Sequence, residues 1–138
     1  MSFPEISIKQ GCNVKKPISI LLVEDEVIIA MVLKLDLKRN GYPDVRHVTT
    51  GEMAIISATQ NPPDIILMDI RLAGEIDGIE AAAVIKAESD IPVLYVTSYD
   101  DEEIRGRADS TKPIGFFGKP VDISKLKQVF DDIADGRI

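Results

Sequence analysis

Cysteine is nearly absent. Cys12 is the only one in 138 residues, so no disulfide can form within the chain, which fits a reducing compartment. We therefore expect a cytoplasmic protein. Long apolar runs are missing too. ISILLV (18–23) is among the longest and is far short of a membrane span. The opening MSFPEISIKQG lacks the apolar core of a signal peptide. Positive charge is in deficit: the formal net charge is −7, with no basic stripe. That argues against nucleic acid and anionic membranes as partners. No internal repeat is visible. What remains is an ordinary globular composition, 45% hydrophobic and 28% charged. One domain of this size buries a core without disulfide or metal.

Residues 1–16 carry no clear period and are interrupted by Pro4 and Gly11, with Pro17 following. They read as a flexible tail or linker, with the domain at 17–138. A regular alternation then begins. ISILLV is a continuous apolar run of the kind found in central parallel strands. In the helix that follows, Ile28, Met31, Val32 and Leu35 fall at helical spacing, and Gly41 with Pro43 ends it. DVRHV (44–48) is a more polar strand suited to a sheet edge. His47 on it is read as structural and away from any site. A short helix follows, with Thr49 and Glu52 at capping-box spacing. DIILMD (64–69) is the third strand, GIEAAAVIKAES a helix, and IPVLYVT (91–97) the fourth strand. DDEEIRGRADS is a poor helix with few apolar anchors and Gly106 inside it. PIGFFG (113–118) is the fifth strand. The last helix carries Leu126, Val129, Phe130 and Ile133 on one face, with Asp122 as its N-cap. Five βα units of this kind predict a doubly wound α/β fold with a parallel sheet and about five helices.

Such sheets bind ligands beyond the carboxyl ends of their strands, where the strand order reverses. At those ends stand Glu24, Asp25 and Glu26, then Asp69, then Thr97 and Ser98, then Lys119 and Pro120. Taken singly, each has a plain explanation. An aspartate at a strand end suits a turn or a helix cap. Acidic residues suit the first turn of a helix. A threonine caps helices, and a lysine sits in solvent. Together they put carboxylates, a cation and a hydroxyl into one crevice. Carboxylates crowded together repel unless a cation joins them, and Mg²⁺ suits an oxygen-only donor set. Such a site can hold a phosphoryl group while a carboxylate attacks phosphorus.

These strand ends resemble a known family, the receiver domains of two-component response regulators. ILLVEDE is similar to its acidic motif, ILMDIRL to its phosphoacceptor strand, LYVTS to its hydroxyl motif and FFGKP to its lysine–proline motif. The resemblance covers about residues 18–135. It implies a flavodoxin-like sheet of order 2-1-3-4-5, with Asp69 as phosphoacceptor. Asp25 would ligate Mg²⁺ directly, Glu24 through water, and Arg71 through its backbone carbonyl. Thr97 would be the switching hydroxyl, Lys119 the phosphoryl-binding cation, and Phe116 the aromatic that changes rotamer. Lys119–Pro120 would be a cis peptide. Two departures stand out: Ala73 where proline is frequent, and a loop from Asp69 to Gly78 one residue longer than the commonest form.

The resemblance further implies a switch rather than an enzyme, phosphorylated by a histidine kinase or phosphotransfer protein. The face made by the fourth helix, fifth strand and fifth helix would engage an unknown downstream protein or a weak homodimer; a monomer is equally compatible. A receiver excised from a hybrid kinase or longer regulator stays open. Arg71 would overhang the crevice mouth, with Tyr99 across from it, and slow hydrolysis. An aspartyl-phosphate hydrolase of the haloacid dehalogenase kind needs a second aspartate where Arg71 stands, and arginine stays protonated. A flavin-binding flavodoxin would have its phosphate repelled by EDE.

Overall fold

The computed structural model describes residues 17–98 and 101–138. The expectations for residues 1–16, Cys12 and Tyr99 lie outside the described residues. Within them, five strands and five helices alternate: β1 Ile20–Val23, α1 Val27–Arg39, β2 Val45–Val48, α2 Gly51–Gln60, β3 Ile65–Met68, α3 Gly78–Glu88, β4 Val93–Thr97, α4 Glu102–Asp109, β5 Gly115–Gly118 and α5 Ile123–Ala134. The strands form one parallel sheet of order β2-β1-β3-β4-β5, as expected. β1, β3 and β4 are buried along their whole length, which is why their sequences read as unbroken apolar runs. β4 and β5 start two residues later than their apolar patterns suggest. The excluded pairs contain Pro92 and Pro113, and proline has no N–H for the ladder.

Two cores lie on opposite faces. Leu21, Val23, Ile66 and Met68 pack against α2, α3 and α4. Ile20, Leu22, Ile65 and Leu67 pack against α1 and α5. Alternation along β1 and β3 thus feeds both layers. α5 buries Leu126 and Phe130, with Val129 and Ile133 packed beside them. Asp122 caps it by accepting from the Ser124 N–H at 2.9 Å.

Three local readings need correction or completion. The α1 residues Ile28, Met31, Val32 and Leu35 are exposed, at 76%, 62%, 56% and 48%. The buried set is Ala30, Leu33 and Leu37. VIIAMVL is apolar around most of its circumference, so periodicity alone does not select the inward face. At α2 the N-cap is Thr50, accepting from the Met53 N–H, and not Thr49. Glu52 closes no capping box there; it reaches across to accept from the Glu75 N–H at 2.9 Å. The real capping box is on α3, between Asp77 and Glu80. α4 is short and buries only Ile104 and Ala108, in keeping with its composition.

Candidate functional site

The sheet order reverses between β1 and β3, and the crevice opens at their carboxyl ends. Asp69 follows β3 and is nearly buried, 7% exposed. Its backbone N–H bonds to the Val23 carbonyl at 3.0 Å, so the ladder itself fixes its position. Its Oδ1 accepts from the Ile70 N–H at 2.7 Å, and its Oδ2 accepts from Lys119 Nζ at 2.8 Å.

Glu24 follows β1 and is 2% exposed. Its N–H bonds to the Val48 carbonyl at 3.1 Å. Its Oε2 accepts from the Glu26 N–H at 3.1 Å, and its Oε1 accepts from Lys119 Nζ. Lys119 thus bridges two carboxylates. The Lys119–Pro120 peptide is cis, as the resemblance implied. Asp25 is half-buried. Its carboxylate has no hydrogen-bond or ion-pair partner among the described residues. Carboxylate oxygens of Glu24, Asp25 and Asp69 all lie within 4.8 Å of one another.

Burial pushes the Glu24 carboxyl above its ordinary value. Bonds from Lys119 and the Glu26 N–H oppose this, and the Asp69 charge adds to it. Burial acts to lower Lys119, but its bonds to Asp69 and Glu24 together outweigh that and hold its pKa above the ordinary value. The two shifts pull one ion pair in opposite senses. The lysine is the member held firmly charged, because two anions share one cation. The crevice carries more negative than positive charge, which is a physical reason for a further cation.

Thr97 ends β4 and is 1% exposed. Its carbonyl accepts from the Lys119 N–H at 3.1 Å, which ties β4 to the lysine's loop. Phe116 lies on β5, half-buried, with its ring 6.0 Å from that of Tyr95 and the Arg105 guanidinium 4.1 Å over its face. Arg71 is exposed. It lines a cleft with Asp25, Asp77, Asp101, Glu103 and Arg107. Across that cleft, Arg107 bonds to Asp77 at 2.9 Å, joining α4 to the cap of α3.

The structure therefore brings Glu24, Asp25, Asp69 and Lys119 together in the crevice, with Thr97 on the neighbouring strand end and Phe116 one strand further along the sheet. Three residues acquire roles that sequence reasoning missed. In the sequence Gly78 stands out only as the end of the loop that follows Asp69. A Cβ on it would stand 1.9 Å from the Asp69 carbonyl oxygen, so α3 approaches the end of β3 only because that side chain is absent. Glu52 holds the lengthened loop after Asp69, where Gly74 adopts φ 101° and Ala73 bridges to Thr50. His47 is not away from the crevice: its Nε2 lies 2.6 Å from the Glu24 carbonyl oxygen. The aspartate–glycine pair at 77–78 was a readable signal for the first. Nothing local in the sequence marks the other two.

A doubly wound sheet with an acidic trio and a bridging lysine at its switch point defines a class: α/β domains that gather carboxylates and a cation beyond the carboxyl ends of their strands. Within that class the family is shown. The chain belongs to the response regulator receiver domains, whose family model matches residues 20–131. It is 31% identical over 110 residues to the transcriptional regulatory protein PdtaR of Mycobacterium tuberculosis, covering 80% of this chain and 53% of that protein. It is 28% identical over 120 residues to the transcriptional regulatory protein YdfI of Bacillus subtilis, covering 86% and 56%. The chain thus spans about half the length of these curated relatives. Among solved structures, it is similar to the signal receiver domain of a modulated diguanylate cyclase from Desulfovibrio desulfuricans, with TM-score 0.79, 35% identity, and 88% and 96% of the two chains covered. It is also similar to the receiver domain of the sensor histidine kinase PA1611 from Pseudomonas aeruginosa, solved with a magnesium ion in its active-site cleft, with TM-score 0.77, 28% identity, and 87% and 99% covered. Receiver domains are signalling modules of two-component systems that work with histidine kinases or phosphotransfer proteins. No helix among the described residues is long and apolar enough to cross a membrane.

Proposed function

We propose that residues 17–138 form a phosphorylation-dependent switch that takes a phosphoryl group onto Asp69 from a histidine kinase or phosphotransfer protein. The observation that carries this reading is Lys119 bound to both Asp69 and Glu24, with the Asp25 carboxylate beside them. An Asp69 oxygen attacks phosphorus. The bond from phosphorus to the donor breaks, and its electron pair leaves with the donor group. Lys119 holds an equatorial oxygen of the transferring group, and the buried Thr97 hydroxyl stands ready to engage another.

Mg²⁺ fits the donor set, which is all oxygen and short of positive charge. Asp25 and Asp69 would hold it directly, Glu24 through water because its oxygens already serve Lys119 and the Glu26 N–H, and Arg71 through its backbone carbonyl. When bound, it would neutralise phosphoryl charge during transfer.

The readout lies across β4 and β5. Drawing Thr97 toward the phosphoryl group changes the space beside Phe116, whose ring is covered by Arg105 of α4. α4 has only two buried anchors, so its position shifts at low cost. The α4-β5-α5 face then alters its affinity for a downstream protein or a second copy, in proportion to its differential interaction with the two states. The curated relatives, about one and a half times this length, and the kinase-borne receiver make either a longer regulator or a hybrid kinase a natural setting.

With Mg²⁺ and acetyl phosphate, the chain is expected to gain one acid-labile phosphoryl group, read by intact mass. No gain, or a gain unaffected by removing Mg²⁺ with a chelator, would overturn the assignment.

The donor-docking face is suggested by α1. Ile28, Met31, Val32 and Leu35 expose an apolar stripe beside a groove of about 470 Å³ that runs to Asp69 and Lys119 between α1 and the segment after β5. A phosphohistidine reaching Asp69 must come with a protein surface next to that groove, and exposed apolar patches of this kind mark protein contacts. Met31→Glu is therefore expected to slow transfer from a phosphorylated protein donor about tenfold or more, while labelling by acetyl phosphate stays unchanged. Equal slowing with both donors would place the defect in the crevice and not in docking.

A further inference from the structure

We propose that His47 is a positioning residue for the acidic loop: its Nε2–H holds the backbone carbonyl of Glu24, and through it sets the Glu24 and Asp25 carboxylates for the cation. The inference rests on the phosphoryl-switch reading and concerns a residue outside the motifs that define the family.

β2 is an edge strand, with β1 as its single partner in the sheet. The register sets His47 opposite Leu22 and Val48 opposite Val23. The ladder supplies one more bond, from the Glu24 N–H to the Val48 carbonyl at 3.1 Å, and then β2 ends. Beyond that point no backbone N–H among the described residues bonds to the Glu24 carbonyl. The His47 ring fills that place from the side, with Nε2 at 2.6 Å from the carbonyl oxygen. A carbonyl only accepts, so Nε2 carries the proton, either in the Nε2–H tautomer or in the imidazolium.

Glu24 is thereby held at four points: its N–H by Val48, its carbonyl by His47, and its two carboxylate oxygens by Glu26 and Lys119. The next peptide carries Asp25, whose carboxylate has no hydrogen-bond or ion-pair partner among the described residues to orient it. The peptide between Glu24 and Asp25 is therefore the handle by which this loop aims Asp25. Outer groups of this kind tune a site because ligand geometry depends on what orients the ligands.

The test compares His47→Ala and His47→Gln with the parent chain. The side-chain amide nitrogen of glutamine reaches the place of the histidine Nε2. Mg²⁺ affinity is read by calorimetry, and fold stability is read separately by urea denaturation. His47→Ala is expected to weaken Mg²⁺ about tenfold, and His47→Gln to restore most of it. A second readout needs no metal. His47 is the only histidine in the sequence, so its ring nitrogen resonances are assigned without ambiguity. They are expected to show a protonated Nε2 in slow exchange. An Nδ1–H tautomer with bare Nε2 overturns the proposal. So does unchanged Mg²⁺ affinity in His47→Ala, even where stability falls, and so does a glutamine variant as weak as the alanine one. If the parent chain itself neither binds Mg²⁺ nor takes up a phosphoryl group, the switch reading fails. If it does both and His47→Ala binds equally well, only the role of His47 fails.

Discussion

Asp69→Asn is expected to reduce phosphoryl uptake from acetyl phosphate to background while leaving the fold intact. The substitution is nearly isosteric. The amide oxygen of the new side chain can still accept from the Ile70 N–H, as Asp69 Oδ1 does at 2.7 Å, and the backbone bond to Val23 is untouched. What disappears is the anionic oxygen that attacks phosphorus, and a neutral amide is a poor nucleophile. Lys119 keeps Glu24 as a partner, so it is not left buried without an anion. Intact mass after incubation with Mg²⁺ and donor measures the loss, and urea denaturation verifies the fold. Labelling equal to that of the parent chain would place the acceptor elsewhere. Weak residual labelling that maps to Asp25 would show only that the crevice still binds the donor.

Gly78→Ala is expected to destabilise the domain by about 3–4 kcal/mol, combining overpacking with strain on one hydrogen bond. Gly78 opens α3, and its N–H bonds to the Ile70 carbonyl at 2.7 Å. The added Cβ would meet the Asp69 carbonyl oxygen at 1.9 Å, its carbon at 2.9 Å and the Ile70 Cα at 3.0 Å. All three are backbone atoms that cannot rotate away. Relief requires either α3 to retreat, which stretches the Gly78–Ile70 bond, or the end of β3 to move, which displaces Asp69. Phosphorylation should therefore slow in whatever fraction still folds. Gly106→Ala is the control. Its Cβ would meet nothing within 4 Å, and alanine is the better helix former, so that variant should gain up to about 1 kcal/mol. Urea midpoints for the two variants settle the matter: if Gly78→Ala is as stable as Gly106→Ala, the close approach of α3 to Asp69 is not what makes glycine necessary.

The family and the fold were legible because both depend on local patterns. The unbroken apolar runs at β1, β3 and β4 record burial on both faces, and the helices between them leave few topologies for a parallel sheet. Strand-end chemistry was legible for the same reason. Asp69, Thr97 and Lys119 are placed by the strands they follow, so finding the strands locates the residues. At β4 and β5 the apolar patterns begin two residues before the strands, in pairs that contain Pro92 and Pro113, and proline cannot donate to the ladder.

Other features depended on which groups meet across the molecule. The apolar circumference of α1 did not reveal whether Ile28 or Leu33 faces inward; packing against β1 and α5 decided it. Glu52 stands at capping-box spacing, but its carboxylate satisfies the N–H of Glu75, 23 residues away. His47 reads as an ordinary strand residue until the register with β1 places it beside Glu24. The sequence by itself determined the class of fold and the chemical groups at its carboxyl edge, since side-chain period and strand termini follow from neighbouring residues. Only the tertiary structure decided which side chains hold those groups in place. A buried donor or acceptor bonds to whatever partner packing brings within reach, and that partner has no fixed distance along the chain.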